Sequence, residues 1–488
     1  MNLKEQLVEH IKVKPYAHQL DALDFFANKR DNLYLWDMGT GKTGGAILNA
    51  RMRFVQSGTM LRTLIITPPV TVMNWAEEFK LFSRIPAHRI HPLNHKTTKK
   101  KAECVYNDVI PQHDGALIIT NYEALLSEDL FKAIEVWCPE LIIYDEIHYV
   151  KNSKSKRSRL CQRLSNNARY RIGLTGTPIL NNVMDIFGIY RTLDNGKTFG
   201  TNEYVFQMKY LIDKNAAWKG RSNYFPKWVN NPKTFGELNA KIYQTAIRKL
   251  KSECLDLPEL IKITRKCGMS TEQKKAYEEM TRDFLTFVDT HDGKESVTAN
   301  LAVTKAMKLL QIASGFVNTD EKNVIEFKSV PKLDLMTELV EEIHTQHKII
   351  IWCSFIHNYR MIGRKLTELG IKHVFLTGEQ SISEKQEAVD AFNKDPTVRV
   401  IVANRAAGGT GVNLTAASYS IVYSRNFSLA EELQSEARNY RGGSEIHESI
   451  VKIDLCTEGT VEEGALEALQ NKYQVSTEII DMVRKQGV

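Results

Sequence analysis

The run Asp37-Met-Gly-Thr-Gly-Lys-Thr43 carries the residue types that hold a polyphosphate. Glycines at 39 and 41 let backbone N–H groups close on phosphate oxygens, the Lys42 ammonium reaches the β and γ oxygens, and the Thr43 hydroxyl suits Mg²⁺. Only the second half of the usual phosphate-loop pattern is present, because Trp36 stands where its first glycine would be. Asp145-Glu-Ile-His148 offers a second chemistry. One carboxylate can hold a divalent cation through water while its neighbour orients the water that attacks in phosphoryl transfer. Asp145 is assigned to the metal and Glu146 to the water; taken alone, the tetrapeptide reads equally as an acidic helix cap. Far downstream, Arg438 and Arg441 stand three residues apart and share a face if their segment is helical. They have the form of arginine fingers for a transferring phosphoryl group, with a solvated basic helix face as the alternative.

Such groups need rigid elements to aim them. The apolar stretch 32–36 precedes the phosphate loop and the helix-compatible stretch 44–50 follows it, so the loop reads as a strand-to-helix connection. Further β-branched runs at 64–67, 116–120, 141–144 and 171–175 alternate with helical patterns, and the rhythm returns at 348–352, 373–376, 398–402 and 420–423. Continuous apolar strands separated by helices predict parallel sheets covered on both faces, hence an α/β chain with two lobes. From about 195 to 330 the texture becomes aromatic, Lys-rich and helix-prone, which predicts helical insertions rather than a third sheet; residues 291–298 read as a turn.

At 488 residues the chain is too long for one ordinary core, and 43% hydrophobic with 25% charged residues is the balance of a folded globular protein. A net charge of +7 permits a polyanionic partner without demanding one. Seven scattered cysteines with no C-x-x-C pair argue for reduced thiols inside a cell and against a structural zinc site. The start lacks the apolar core of a secretory signal and no uninterrupted apolar span reaches membrane length. The expected location is the cytoplasm, prokaryotic or host-cell, or the nucleus in a eukaryote, with no membrane partner.

Taken in order, Pro15-Tyr-Ala-His-Gln19, Asp37 to Thr43, Asn74-Trp-x-x-Glu-Phe79, Asp145 to His148 with Lys151-Asn152, Leu174-Thr-Gly-Thr-Pro-Ile-Leu-Asn-Asn182, Ala407-Gly-Gly-Thr-Gly-Val-Asn-Leu414 and Gln434 to Arg441 resemble the motifs of superfamily 2 helicases, in the detail of the Swi/Snf-like DNA translocases. The resemblance covers nearly the whole chain and has the look of a bare motor of bacterial or viral type. It implies two RecA-like lobes: residues 1–195 as lobe 1, 196–262 as a helical insertion of lobe 1 and linker, 263–328 as a helical insertion of lobe 2, and 329–488 as lobe 2 with a C-terminal helix. It also implies ATP as the nucleotide with Mg²⁺. Gln19 would read the adenine edge beside Tyr16, Gly39, Thr40, Gly41, Lys42 and Thr43 would cradle the phosphates, and Gly409 and Gly411 would bring lobe 2 backbone near them. Thr175, Gly176 and Thr177 would couple the γ-phosphate site to the nucleic acid.

By the same resemblance, Lys42, Glu146, Arg438 and Arg441 carry catalysis and Thr43 with Asp145 the metal. A sequence-independent track for double-stranded DNA would run over Thr67, Pro68, Asn121, Tyr122, Lys151, Asn152, Thr377, Gly378 and Arg405, holding phosphates without reading bases. The basic run 151–159 either adds phosphate contacts or is a solvated loop, and Lys99-Lys-Lys101 reads as solvated. The sequence departs from the family at Tyr423-Ser-Arg-Asn-Phe-Ser428, Asn404 and Gly442-Gly-Ser444, all in lobe 2. The expected function is an ATP-driven DNA translocase that remodels or displaces a DNA-bound protein. The alternatives are a strand-separating DNA or RNA helicase and a nucleotide-switched interaction module.

Overall fold

The computed structural model describes residues 6–7, 9–94, 97–112, 115–176, 183–218, 226–290, 297–318, 323–405 and 412–469. Contacts divide the chain into two units, Met1–Leu255 and Asp256–Val488.

In the first unit the strands are β1 (Asp31–Trp36), β2 (Thr63–Thr67), β3 (Ile90–Pro92), β4 (Leu117–Asn121), β5 (Leu141–Tyr144), β6 (Tyr170–Thr175), β7 (Leu211–Asp213), β8 (Trp228–Asn230) and β9 (Ala246–Lys249). Seven of them form one parallel sheet in the order β3-β4-β2-β5-β6-β1-β9. Side chains alternate across it, as a period of two requires. Leu33, Leu35, Leu64, Ile66, Ile142 and Tyr144 pack into one apolar layer, and Tyr34, Trp36, Ile65, Leu141 and Ile143 into the other. Each such side chain contributes about 1.5–3 kcal/mol on leaving water, and the doubly covered sheet is what fixes the strand ends in space.

In the second unit the strands are β10 (Glu259–Cys267), β11 (Phe316–Asn318), β12 (Val324–Glu326), β13 (Ile349–Cys353), β14 (His373–Leu376), β15 (Val400–Asn404), β16 (Tyr419–Val422) and β17 (Ser449–Thr457). Six make a parallel sheet in the order β10-β17-β16-β13-β15-β14. Ile349, Ile351, Val400 and Val402 face one layer, and Ile350, Trp352, Ile401 and Ala403 the other. The chain is therefore α/β with two parallel sheets.

The segment between the lobes differs from the purely helical reading. Helices Glu203–Tyr210, Phe235–Ile242, Thr271–Thr290 and Val297–Ala313 are present, but β7 pairs with β8 and β11 with β12 as antiparallel ribbons. Moreover β9 closes one edge of the first sheet against β1, and β10 one edge of the second against β17. The division between units falls at Leu255/Asp256, inside the stretch 196–262. The short strand Ala246-Ile-Arg-Lys249 carries little pattern of its own; its pairing partner makes it a strand. Residues 291–296 of the expected turn lie outside the described residues, and the helix Val297–Ala313 begins at its end.

In the second unit the end of the helix Val297–Ala313 is fastened to the sheet. Carbonyls there have no partner within the helix, and side chains supply it. Gln273 Nε2 donates to Ile312 O (3.0 Å), Thr457 Oγ1 to Ala313 O (2.9 Å), and Tyr423 Oη and Asn358 Nδ2 to Ser314 O (2.9 and 3.1 Å). Among the described residues no helix is long and apolar enough to cross a membrane.

Candidate active site

The phosphate loop leaves β1 and enters the helix Lys42–Ser57 at the carboxyl edge of the first sheet, where ligands of open α/β sheets sit. Gly39 (φ 87°) and Gly41 (φ 81°) are both left-handed, a conformation that suits glycine. Trp36, in the place of the absent first glycine, is the last residue of β1 and is wholly buried, edge-on to His18 and Tyr34. The loop is pinned from outside itself. His18 Nε2 donates to Thr40 O (2.8 Å); burial, helped by the Lys249 charge, lowers the ring's pKa below the ordinary histidine value, and the Thr40 bond opposes that shift without cancelling it. Asp37 accepts from Arg248 Nη2 and from the backbone N–H of Lys251 (both 3.1 Å), which ties the loop to β9 and the turn after it.

Gln19 is buried and both ends of its amide are engaged: Oε1 accepts from Tyr16 N and Nε2 donates to Gly41 O, each at 2.9 Å. In this arrangement it braces the phosphate loop, so the expected adenine contact requires those bonds to rearrange. Tyr16 is half exposed and its ring stacks on His18 at 5.5 Å between centroids, which leaves an aromatic face beside the loop. Lys42 Nζ donates to Trp36 O (2.9 Å) and Asp37 O (3.1 Å). Burial drives its ammonium below the ordinary lysine range, and Glu146, Asp145 and Asp37 offset only part of that. Thr43 follows in the first helical turn.

β5 delivers the two acids to the same edge. Asp145 Oδ2 accepts from Thr67 Oγ1 and from Trp75 Nε1, each at 2.8 Å, and Tyr122 Oη donates to the Asp145 carbonyl (2.8 Å). Burial pushes the Asp145 carboxyl above the ordinary aspartate range and the Glu146 charge adds to it; the hydrogen bonds from Trp75 and Thr67 and the Lys42 charge oppose the shift without cancelling it. Glu146 is a non-glycine residue at φ 49°, which turns its side chain out of line with the strand. Its Oε2 lies 3.3 Å from His148 Nδ1, which in turn lies 3.3 Å from Thr175 Oγ1 at the end of β6. Gly176 then passes so close that a Cβ there would sit 3.1 Å from Met38 Cγ and 3.5 Å from Lys42 Nζ. Sheet ends thus bring Lys42, Asp145, Glu146 and Thr175 together. The Thr43 hydroxyl and the Asp145 carboxylate are oxygen donors of the kind a hard divalent ion takes, and a cation there would oppose the burial and the Glu146 charge that raise Asp145.

The profile of the SNF2-related domain matches residues 18–321, and that of the helicase conserved C-terminal domain matches residues 331–443. The chain belongs to the SNF2-related family. It is a Swi/Snf-like member of the superfamily 2 ATPases. Similar proteins include the CHD3-type chromatin-remodeling factor PICKLE of Arabidopsis thaliana, 25% identical over 518 residues covering 98% of this chain and 35% of PICKLE. The transcription regulatory protein SNF2 of Saccharomyces cerevisiae is 23% identical over 522 residues, covering 98% of this chain and 29% of SNF2. The chain spans less than half the length of the curated relatives it matches. Among solved structures, the Sulfolobus solfataricus SWI2/SNF2 ATPase core in complex with dsDNA aligns over 96% of this chain and 94% of that one, with 25% identity and a TM-score of 0.43.

In this SNF2-related chain, several residues expected to line a nucleic-acid track face inward. Thr67, Pro68, Tyr122, Thr377 and Arg405 are buried. The Thr67 and Tyr122 hydroxyls bond to Asp145, and the Arg405 guanidinium is ion-paired with Glu432 and bonded to Ser435 Oγ (3.2 Å). As placed, these side chains do not present themselves to a phosphate; a buried polar group takes the partner its own fold offers. Asn152 and Gly378 are exposed, whereas Asn121 and Lys151 are half-buried, the latter 3.6 Å from Asp185. Lys154 is likewise 3.2 Å from Glu203, so the basic run is partly neutralised by acids.

The arginine pair also differs from expectation. The helix Leu429–Glu436 ends before Arg438, and residues 437–441 are turns and bends rather than a shared helical face. Arg438 is buried and Arg441 half-buried. Gly409, Gly411 and Thr177 lie outside the described residues. Sequence reasoning gave no role to Trp75 or Arg248. The Asn74-Trp-x-x-Glu78 motif was a usable signal for the first; the second depends on a strand that only pairing defines.

Proposed function

We propose that this chain is an ATP-driven translocase on double-stranded DNA, which hydrolyses ATP to ADP and phosphate and uses the cycle to remodel or displace bound protein. The observation that carries the reading is the geometry at one sheet edge: a glycine-shaped loop that opens the helix at Lys42, with Asp145, Glu146 and Thr175 delivered beside it by the ends of β5 and β6. A polyphosphate with its cation fits a loop, an ammonium and a pair of acids so arranged. Family membership and relatives described as chromatin-remodeling and transcription regulatory proteins favour DNA as the polymer.

In this reading Lys42 leaves the Trp36 and Asp37 carbonyls for the β and γ oxygens, and the glycine-shaped loop offers its N–H groups to the same phosphates. Glu146, held near His148, orients the attacking water. Thr43 and Asp145 hold Mg²⁺, which neutralises phosphate charge when bound. Tyr16 packs against the nucleoside, with Gln19 and the backbone at Gly41 beside it. Arg438 and Arg441 come from the second unit as fingers, with Gly409 and Gly411 alongside, so that hydrolysis follows closure of the two units. Asn121, Lys151, Asn152 and Gly378 hold DNA phosphates without reading sequence.

A displaced third strand reports translocation without strand separation. We expect ATP-dependent release of a triplex-forming oligonucleotide from duplex DNA and no unwinding of a forked duplex. Efficient unwinding of the fork would favour the strand-separating helicase, and neither activity together with slow hydrolysis would favour a nucleotide-switched module.

A further inference from the structure

The Asn74-Trp-x-x-Glu78 motif is left without a task by the phosphate chemistry, and the structure gives it one. Trp75 lies on the helix Val72–Phe82, is almost wholly buried, and its indole N–H points to Asp145 Oδ2 at 2.8 Å. Thr67, the last residue of β2, donates to the same oxygen at 2.8 Å. A buried threonine stands behind it: Thr71 Oγ1 lies 2.5 Å from Thr67 Oγ1. Because a carboxylate only accepts, the Thr67 proton goes to Asp145; the Thr71 hydroxyl, which also has Pro68 O within reach at 2.9 Å, braces Thr67 from behind. Among the described residues no donor reaches Oδ1.

We propose that Trp75 and Thr67 are positioning residues for the metal-side carboxylate: together they occupy Oδ2, fix the plane of the Asp145 carboxyl and reserve Oδ1 for the cation that accompanies the nucleotide. This rests on the assignment of Asp145 to the metal. Two donors on one oxygen fix rotation about the last side-chain bond, which one donor leaves free, and both come from rigid parts of the first sheet and its helix. Partners of a ligating carboxylate commonly change metal affinity or activity by about 10–100-fold when removed.

The test is binding of a fluorescent ADP analogue titrated with Mg²⁺, alongside steady-state ATPase. We expect Trp75→Phe and Thr67→Val to raise the Mg²⁺ concentration for half-maximal nucleotide binding by about tenfold, while Mg²⁺-free nucleotide binding stays within about twofold. In turnover, kcat should fall by more than the KM for ATP rises. Thr67→Ser, which keeps the hydroxyl, should restore the wild-type Mg²⁺ dependence. The proposal is overturned if folded Thr67→Val and Trp75→Phe proteins keep the wild-type Mg²⁺ dependence, or if they lose nucleotide equally with and without Mg²⁺, as a simple packing defect would. Asp145→Asn separates the two levels: an unchanged Mg²⁺ dependence there removes the metal assignment itself, whereas a changed one with unaffected Thr67 and Trp75 variants removes only their positioning role.

Discussion

The carboxyl edge of the first sheet and the charge cluster around β15, β16 and β17 of the second both bury charge, and they treat it in opposite ways. At the first, burial acts against the charges: Lys42 is shifted down and Asp145 up. At the second, the charges are matched. Arg405 and Lys452 converge on Glu432, Arg425 meets Asp454 at 3.0 Å, and Lys332 holds both oxygens of Glu462 at 2.6 and 2.7 Å. Burial alone would raise Glu432, yet Arg405, Lys452 and Arg425 outweigh it and hold the carboxyl far below the ordinary range. Burial would lower Lys452, yet Asp454, Glu432 and Glu436 outweigh it and raise it. In the proposed function the opposed charges of the first edge take their countercharge from a ligand, while the matched charges of the second sheet hold the fold.

The largest expected effects break the first edge. Lys42→Ala should abolish productive ATP binding, and Glu146→Gln should keep nucleotide binding while cutting single-turnover hydrolysis by about 10³-fold or more. Unchanged turnover in either would remove the distinction between the two regions. Arg441→Ala asks whether the second unit adds anything beyond its scaffold. We expect about 10³-fold loss of DNA-stimulated hydrolysis, and a loss under tenfold would leave Arg441 a structural residue.

Next in size is the scaffold itself. Glu432→Ala strands Arg405 and Lys452 without their shared acid and should lower stability by about 3–5 kcal/mol in denaturant unfolding. The smallest effect has the opposite sign. Asp145→Asn keeps an acceptor for Thr67 and Trp75 but removes a disfavoured charge, so the nucleotide-free protein should gain about 1 kcal/mol, about 2–4 °C in Tm, as its ATPase is lost.

The pH dependence separates the two regions in the same way. Glu432 has a depressed native pKa, so its stabilisation is complete above the ordinary glutamate value of about 4.3 and is lost as pH falls toward the native one. Asp145 has a raised native pKa, so the native state takes up a proton before the unfolded chain does, and its destabilising charge fades as pH falls. The Tm advantage of Asp145→Asn over wild type should therefore shrink from pH 7 toward pH 4. A constant or growing advantage would mean that burial does not oppose the Asp145 charge.

Much of this was legible in the sequence, for reasons that can be named. The apolar runs that became β1, β2, β4, β5, β6, β13, β15 and β16 are largely buried on both faces, so they need no partner to be recognised, and the half-buried edge strand β14 keeps enough of the same pattern. The order of the phosphate loop, Asp145-Glu146 and the later motifs pointed to the family, because each motif keeps its chemistry wherever the chain folds. What was not legible depends on distant partners. Thr67 and Tyr122 were expected to face DNA, but Asp145, 78 and 23 residues away, takes their hydroxyls. Arg405 reads as a phosphate ligand until Glu432 is placed beside it. Arg438 and Arg441 read as helical because nothing before Gly442 announces that the helix stops at Glu436.

The most direct measurement is the steady-state ATPase rate with no nucleic acid, single-stranded DNA, duplex DNA and RNA, each across a salt series. We expect duplex DNA to give the largest stimulation, independent of sequence and falling steeply with salt as phosphate contacts are screened. Equal rates in all four conditions, or stimulation by single strands or RNA alone, would contradict a motor that tracks along double-stranded DNA.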